Sequence, residues 1–108
     1  MRFFMGLGRY TLDLRHCRSI KDKRRIVKSI IDRVGNNKSM VIREVGDPDH
    51  WKSSKLAIIC LSDSEHSAKR ALARARGVME AVGIDVTEEG HYIFSDSDVA
   101  ESIVCQGE

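Results

Sequence analysis

The sequence predicts an α+β domain in which one four-stranded antiparallel sheet carries two helices on one face. Apolar segments of strand length and two amphipathic segments follow each other in the order β-α-β-β-α-β. Each amphipathic segment begins near a serine and ends near a glycine, as helices commonly do. The first and third strands are the most apolar, which suits the two central positions of the sheet. This order is that of a ferredoxin-like domain.

The first strand and the first helix are predicted from hydrophobic periodicity. Residues 3–14 are apolar on both faces at their start and alternate at their end. Gly6 and Gly8 share one face, which predicts a bulge or a closely packed helix. Residues 20–34 form an amphipathic helix, for which Ser19 is a suitable N-cap.

Two strands separate the helices. Residues 39–45 form a short strand that ends at the turn signal Gly46-Asp47-Pro48-Asp49. Residues 56–61, LAIICL, are continuously apolar, so both faces of this strand need cover. Because the helices shield one face, we expect a homo-oligomer through the other sheet face, unless the C-terminal tail covers it.

The second helix is predicted over residues 62–83, with Ser62 and Glu65 as its capping box and Gly83 at its end. Gly77 lies inside this helix and costs ~1 kcal/mol relative to alanine, which predicts close packing there. A last strand follows over residues 84–94, and we expect a break in it near Glu89-Gly90.

Charge is distributed unevenly along the 108 residues. Residues 1–76 contain all 18 lysines and arginines and 8 of the 16 acids, a net charge of +10, whereas residues 77–108 carry −8. We therefore divide the chain into one domain, residues 1–95, and an acidic C-terminal tail, residues 96–108. The asymmetry predicts an anionic partner for the basic part, an acidic cover for it, or both.

Composition excludes several classes of protein. No stretch approaches the ~20 apolar residues of a membrane span. The apolar run near the N-terminus is too short for a secretory signal. Three widely spaced cysteines form neither a disulfide framework nor a metal motif. We expect a cytoplasmic protein with reduced thiols, in which Cys60 is a core residue and Cys17, near two arginines, is the most reactive.

Cations are dense at the start of the first helix, in the stretch SIKDKRR. On a helical wheel Lys21, Arg24, Arg25 and Lys28 share an arc of about 100° opposite the apolar stripe. Lys23 falls inside the stripe, and we expect its amine to reach water. Because clustered cations repel each other and oppose the helix dipole, the arrangement predicts a bound anion.

The second helix adds further cations, including Arg76, on the same side of the sheet. The pooled patch would span phosphates of structured RNA, recognised through backbone and shape. The alternative is a solvated surface without a ligand. The predicted anion- or RNA-binding residues are Lys21, Lys23, Arg24, Arg25, Lys28, Lys69, Arg70 and Arg74.

Other kinds of site have weaker support. The loop 47–51 groups acids with His50 and Trp51, but without a ligand-spacing motif we favour a turn anchored by the tryptophan. The third strand has no aromatic residue with which to stack bases in the manner of an RNA-recognition motif. We predict no catalytic residue, metal or cofactor.

The chain resembles the YlxP-like family, domain of unknown function 503. The resemblance covers roughly residues 5–94, and its most specific part is the stretch from Ser19 to Arg25. It further includes Leu12-Asp13-Leu14, Val27-Lys28-Ser29, Glu44-Val45 and Trp51. The chain departs from the family pattern at Cys17-Arg18 and in its acidic extension beyond Phe94.

The resemblance implies a ferredoxin-like fold and no established activity. Members are commonly encoded among bacterial translation genes, which implies a link to RNA or ribosomes. Our first hypothesis is therefore a non-enzymatic RNA- or ribosome-associated protein that binds through the basic helix face. The second is an oligomeric protein-interaction module without a nucleic-acid partner, whose basic face meets its own acidic C-terminal segment.

Overall fold

The computed structural model describes the backbone of residues 1–106 and the side chains of residues 1–101. The strands form one antiparallel sheet in the order β2-β3-β1-β4. The predicted β-α-β-β-α-β arrangement, with the first and third strands central, is confirmed, and a third helix follows it. In chain order the elements are β1 (Phe4–Asp13), α1 (Ile20–Gly35), β2 (Met40–Val45), β3 (Ser53–Ser62), α2 (Glu65–Glu80), β4 (Val86–Ser95) and α3 (Asp96–Gln106).

The core lies between the sheet and the two helices α1 and α2. Along β1 and β3 the even-numbered residues face the helices, so Tyr10, Leu12 and Ile58 are almost completely buried. The register between β1 and β4 shifts after Arg9, beside Glu89. This irregularity lies where the sequence predicted a break in the last strand.

The glycines of β1 permit close packing on the core side. A Cβ atom on Gly6 would lie 2.8 Å from the Cys60 sulfur and 3.1 Å from Cδ1 of Leu72 on α2. The predicted close approach of a helix is therefore confirmed. At Gly77, by contrast, a Cβ would meet nothing within 4 Å, so the prediction of close packing there is wrong.

The two long helices begin at serine caps. The Ser19 hydroxyl accepts a hydrogen bond of 3.1 Å from the backbone N–H of Asp22, as predicted. On α2 the cap is Ser64, whose hydroxyl accepts from the N–H of Ser67, and not the predicted Ser62. Ser62 is instead the last residue of β3, and its hydroxyl donates a hydrogen bond of 3.0 Å to the hydroxyl of Ser67.

Residues 96–108 were expected to be an acidic tail, but the chain forms α3 directly after β4. The Ser95 hydroxyl accepts from the N–H of Asp98, and the Asp98 carboxylate accepts from the N–H of Ser95. This reciprocal pair is a capping box, the signal that the acidic composition obscured. The backbone N–H of Asp96 also donates to the carbonyl of Phe3, which fixes the start of α3 beside β1.

The molecule is elongated, with extents of 49 × 30 × 20 Å. A ten-residue strand spans about 33 Å, and an eleven-residue helix adds about 16 Å. Their sum accounts for the long dimension, so α3 extends β4 beyond the sheet. No helix within residues 1–106 is long and apolar enough to cross a membrane.

Candidate anion-binding site

The outer face of α1 presents the cations that the helical wheel grouped. Lys21, Arg24, Arg25 and Lys28 are all exposed, and with Asp22 they line one surface concavity. We call these four cations the basic face. Its position at the start of α1 places it beside backbone N–H groups that have no partner within the helix.

Two of the four cations contact carboxylates in exposed ion pairs. Arg25 contacts Asp22 at 3.3 Å, and Arg24 contacts Asp49 of the β2–β3 loop at 3.5 Å. Among the described side chains, Lys21 and Lys28 form no ion pair. The two exposed pairs are weak and screened by salt, so they leave the face available to a stronger anion.

Lys23 does not belong to the basic face, and the expectation that its amine reaches water is wrong. Its side chain is 0% exposed, and its Nζ lies 2.6 Å from a carboxylate oxygen of Glu44 on β2. The same Nζ donates to the backbone carbonyl of Pro48. An ammonium buried in this way requires an anionic partner, and Glu44 supplies it.

The pair formed by Lys23 and Glu44 ties the β2–β3 loop to α1. Ser54 of β3 donates a hydrogen bond of 2.8 Å to the same Glu44 oxygen. Trp51 packs partly buried against the core, as we predicted for the anchor of this loop. Sequence reasoning missed Glu44 as a partner because twenty residues separate it from Lys23 and the pairing depends on strand order.

The β2–β3 loop does not assemble a recognisable catalytic group within the described residues. The Asp49 carboxylate forms an ion pair with Arg24, and the backbone N–H of Asp49 donates a hydrogen bond to the Asp47 carboxylate. No group of three or more His, Cys, Asp or Glu side chains in the described part of the chain could hold a metal ion. The arrangement is that of a structured turn beside the basic face.

The cations of α2 are arranged differently from those of α1. Lys69 pairs with Glu65 at 3.2 Å, and Arg76 contacts Glu80 at 3.0 Å. Arg70 and Arg74 are exposed and form no ion pair among the described side chains. The α2 cations do not line the concavity of the basic face, so their membership of one pooled patch stays a prediction.

The orientation of the two helices nevertheless brings part of α2 near the basic face. Since α1 follows β1 and α2 follows β3, and these strands are antiparallel, the helices are antiparallel as well. They also contact each other. The C-terminal half of α2, which carries Arg74, therefore lies alongside the N-terminal half of α1.

The acidic C-terminal segment does not lie over the basic face in the described residues. α3 continues from the end of β4, the edge strand on the side of the sheet opposite β2 and α1. It begins beside Phe3, whereas α1 begins near the other end of β1. Among the described residues, the predicted acidic cover of the basic face therefore has no contact to support it.

The expectation that Cys17 is reactive is contradicted by its environment. Both Cys17 and Cys60 are buried, at 7% and 2% exposure. Burial is the main cause that raises the pKa of each thiol above its ordinary value. Both thiols therefore remain protonated and unreactive near neutral pH.

Comparison with known proteins places the chain in a family. The model of the family described as "Protein of unknown function (DUF503)" matches residues 5–88. The "Uncharacterized protein YlxP" of Bacillus subtilis (strain 168) is 30% identical over 63 residues, which are 58% of this chain and 68% of that protein.

Comparison with solved structures finds likenesses at low sequence identity. A C-terminal segment of the alpha subunit of aIF2 from Pyrococcus abyssi is 10% identical, with a TM-score of 0.51 over 80% of this chain and 49% of that one. This chain thus spans about half of that structure, and the likeness shows the fold alone. A de novo designed protein with a ferredoxin fold is 17% identical, with a TM-score of 0.48 over 81% of this chain and 85% of the designed one. Because the family model covers most of the sequence, this chain belongs to the DUF503 family.

Proposed function

We propose that the protein binds structured RNA, free or in the ribosome, through phosphate contacts of the basic face, and that it is not an enzyme. The observation that carries the proposal is the set of four exposed cations around one concavity at the start of α1. Cations at this end of a helix oppose the dipole and repel one another, which costs ~0.3–1 kcal/mol each. A bound polyanion reverses both effects.

The geometry suits phosphate groups on a backbone. Lys21 and Lys28 lie two helical turns apart, about 10 Å along the axis, and are available as point charges. Arg24 and Arg25 lie between them, and each can exchange a weak carboxylate contact for a bidentate phosphate contact. Recognition through backbone phosphates fits RNA of defined shape better than a specific base sequence.

A matched pair of variants tests the proposal. Lys21→Gln/Lys28→Gln removes two cations of the basic face. Arg33→Gln/Lys38→Gln removes the same charge near the other end of α1, where both side chains are likewise exposed and unpaired among the described residues. Fluorescence anisotropy with a labelled RNA hairpin, at several salt concentrations, measures affinity and its salt dependence.

The first variant should weaken binding, and the slope of log K against log salt should flatten by ~0.7–0.9 for each phosphate group that the protein no longer neutralises. The control variant should change the slope by much less. An equal decrease in affinity for both variants would show that only net charge matters and would contradict a site on α1. If the wild-type protein fails to bind RNA at low salt, the proposal is wrong and a protein-interaction module is favoured.

A further inference from the structure

The sheet face opposite α1 and α2, here called the open face, carries apolar side chains in two aligned rows. The strand register places Val41, Ile59, Leu7 and Tyr92 in one row, and Leu61, Met5 and Phe94 in the next. Each row crosses the sheet through directly paired neighbours. Such rows form a continuous surface, unlike the isolated apolar side chains that every protein exposes.

Several side chains of these rows are exposed to an unusual degree for their type. Leu61 is 55% exposed, Val41 52% and Ile59 45%, although Ile59 and Leu61 belong to a central strand. Tyr92 and Phe94 stack on each other at 6.4 Å and remain near 40% exposed. Neither α1 nor α2 covers this face, since both pack on the other side of the sheet.

We propose that a second copy of this chain covers the open face, in a two-fold dimer that packs sheet on sheet. Four strands about 4.8 Å apart and four side-chain rows about 6.7 Å apart, those of Met5, Leu7, Arg9 and Thr11 on β1, give a flat footprint of roughly 500 Å² per copy. Two copies together bury at least about 1,000 Å², where specific interfaces begin. The apolar centre of the face resembles the core of a homodimer interface more than an ordinary surface.

Charge complementarity on the open face selects the orientation of the two copies. Beside the apolar rows, Arg43 of β2 and Arg9 of β1 lie in the next row, at the level of Gly90 and its bulged neighbour Glu89 on β4. A two-fold axis parallel to the strands lays β2 of one copy over β4 of the other. Apolar rows then face apolar rows, and Arg43 faces the partner's Glu89.

A two-fold axis across the strands fits less well. With the axis at the row of Ile59, it would lay β2 over β2 and would place the row of Met5 and Phe94 over the row of arginines. Arg43 would then lie away from the partner's Glu89 and would be buried without that anionic partner, which costs desolvation. The strand-parallel axis therefore describes the proposed dimer.

This dimer leaves the basic face free. With about 10 Å between the packed sheets and about 10 Å between each sheet and its helices, the α1 axes of the two copies lie at least about 30 Å apart, and the basic faces are on their outer sides. That separation exceeds the Debye length of ~8 Å at physiological salt, so the two faces do not oppose association.

Aspartate substitutions on the open face test the dimer. Ile59→Asp and Leu61→Asp, made separately, place a charge in the apolar part of the interface. Ala73→Asp, at an exposed position of α2, is the matched control. Both sites on β3 are about half exposed, so the isolated fold tolerates the charge, and far-UV circular dichroism verifies this.

Sedimentation equilibrium from low to high micromolar concentration should show a dimer for the wild type and the control. Each open-face variant should raise the dissociation constant of the dimer by ~30-fold or more, the effect expected for a central interface residue. A monomeric wild type, or an Ile59→Asp variant that remains fully dimeric, would overturn the proposal. With a monomeric wild type, the open face would instead be the binding surface for a different protein.

Charge reversal tests the orientation. Arg43→Glu and Glu89→Arg should each weaken the dimer, and the double variant should restore it, because the two charges face each other across the axis. Additive weakening without restoration would overturn the strand-parallel axis. RNA binding uses other residues, so these outcomes are independent of those for the basic face.

Discussion

The buried ion pair of Lys23 and Glu44 provides a direct test of how α1 is attached to the sheet. We expect Lys23→Ala to destabilise the protein strongly and Lys23→Met to destabilise it less. Both substitutions remove the ammonium from its contacts with Glu44 and the Pro48 carbonyl. Methionine retains most of the apolar stem in a site where the lysine side chain is 0% exposed, whereas alanine does not.

The magnitudes follow from these contacts. Lys23→Ala removes three buried methylenes, about 2.4 kcal/mol at ~0.8 kcal/mol each. Leaving the partner groups without their donor costs a further ~1–3 kcal/mol. The Glu44 side chain is 19% exposed and keeps its bond from Ser54, which favours the lower part of that range. We therefore expect about 3–5 kcal/mol for alanine and about 1–3 kcal/mol for methionine.

Urea unfolding followed by circular dichroism measures these free energies. The double variant Lys23→Met/Glu44→Leu should recover part of the stability, because it removes both charges together but leaves the buried Ser54 hydroxyl without its acceptor. RNA affinity of folded Lys23→Met should equal that of the wild type, since Lys23 lies outside the basic face. If Lys23→Met changes stability by less than ~0.5 kcal/mol, the buried pair does not hold the loop and this reasoning is wrong.

Three further predictions concern other parts of the fold. Gly77→Ala should stabilise the protein by up to ~1 kcal/mol, because the added Cβ meets open space. Gly6→Ala should destabilise it by ~1–3 kcal/mol, because the added Cβ overpacks the core. Urea unfolding measures both changes in free energy. Tyr10→Phe should be neutral or stabilising by up to ~1 kcal/mol in the same assay, because the buried hydroxyl has no hydrogen-bond partner among the described residues. Acid should loosen α3: hydrogen bonds from Ser95 hold the pKa of Asp98 below its ordinary value of 3.8. The capping box therefore stabilises α3 fully above pH 3.8, and this stabilisation is lost as the pH falls through the lowered pKa of Asp98. Faster amide exchange within α3 at acid pH measures the loss.

Each of these expectations has a result that would contradict it. Destabilisation by Gly77→Ala would show that this position requires glycine for a reason other than space. A clear decrease in the stability of Tyr10→Phe would show that the hydroxyl has a partner, such as a buried water molecule. For α3, an Asp98→Ala variant should lack the acid-dependent change in amide exchange. An equal change in the wild type and in Asp98→Ala would show that the capping box does not cause it.

The fold was predictable because its signals are local and repeated. The apolar run over residues 56–61 specified a central strand, and Ser19 specified the start of α1. The four cations of the basic face were predicted as a group because helical spacing alone places them on one arc.

The burial of Lys23 in an ion pair with Glu44 was not predictable in the same way. A helical wheel shows that Lys23 points toward the core, but it contains no information about which element packs against that side of α1. Glu44 becomes its partner only through the position of β2 next to α1. Long side chains with a charged end can either reach water or bury an ion pair, and tertiary contacts decide between these states.

The central position of β1 has a consequence for the order of events during synthesis. Both strands that pair with β1 are made after it, and the first of them, β3, is complete only at Ser62. At ~5–20 residues per second, the roughly 50 residues between the end of β1 and the end of β3 take about 2–10 s to appear. During that interval an apolar strand has neither neighbour, and its two hydrogen-bonding edges are available to chaperones or to other nascent chains. Assembly of the sheet around β1 therefore begins only when β3 emerges, roughly 50 residues after β1 is complete.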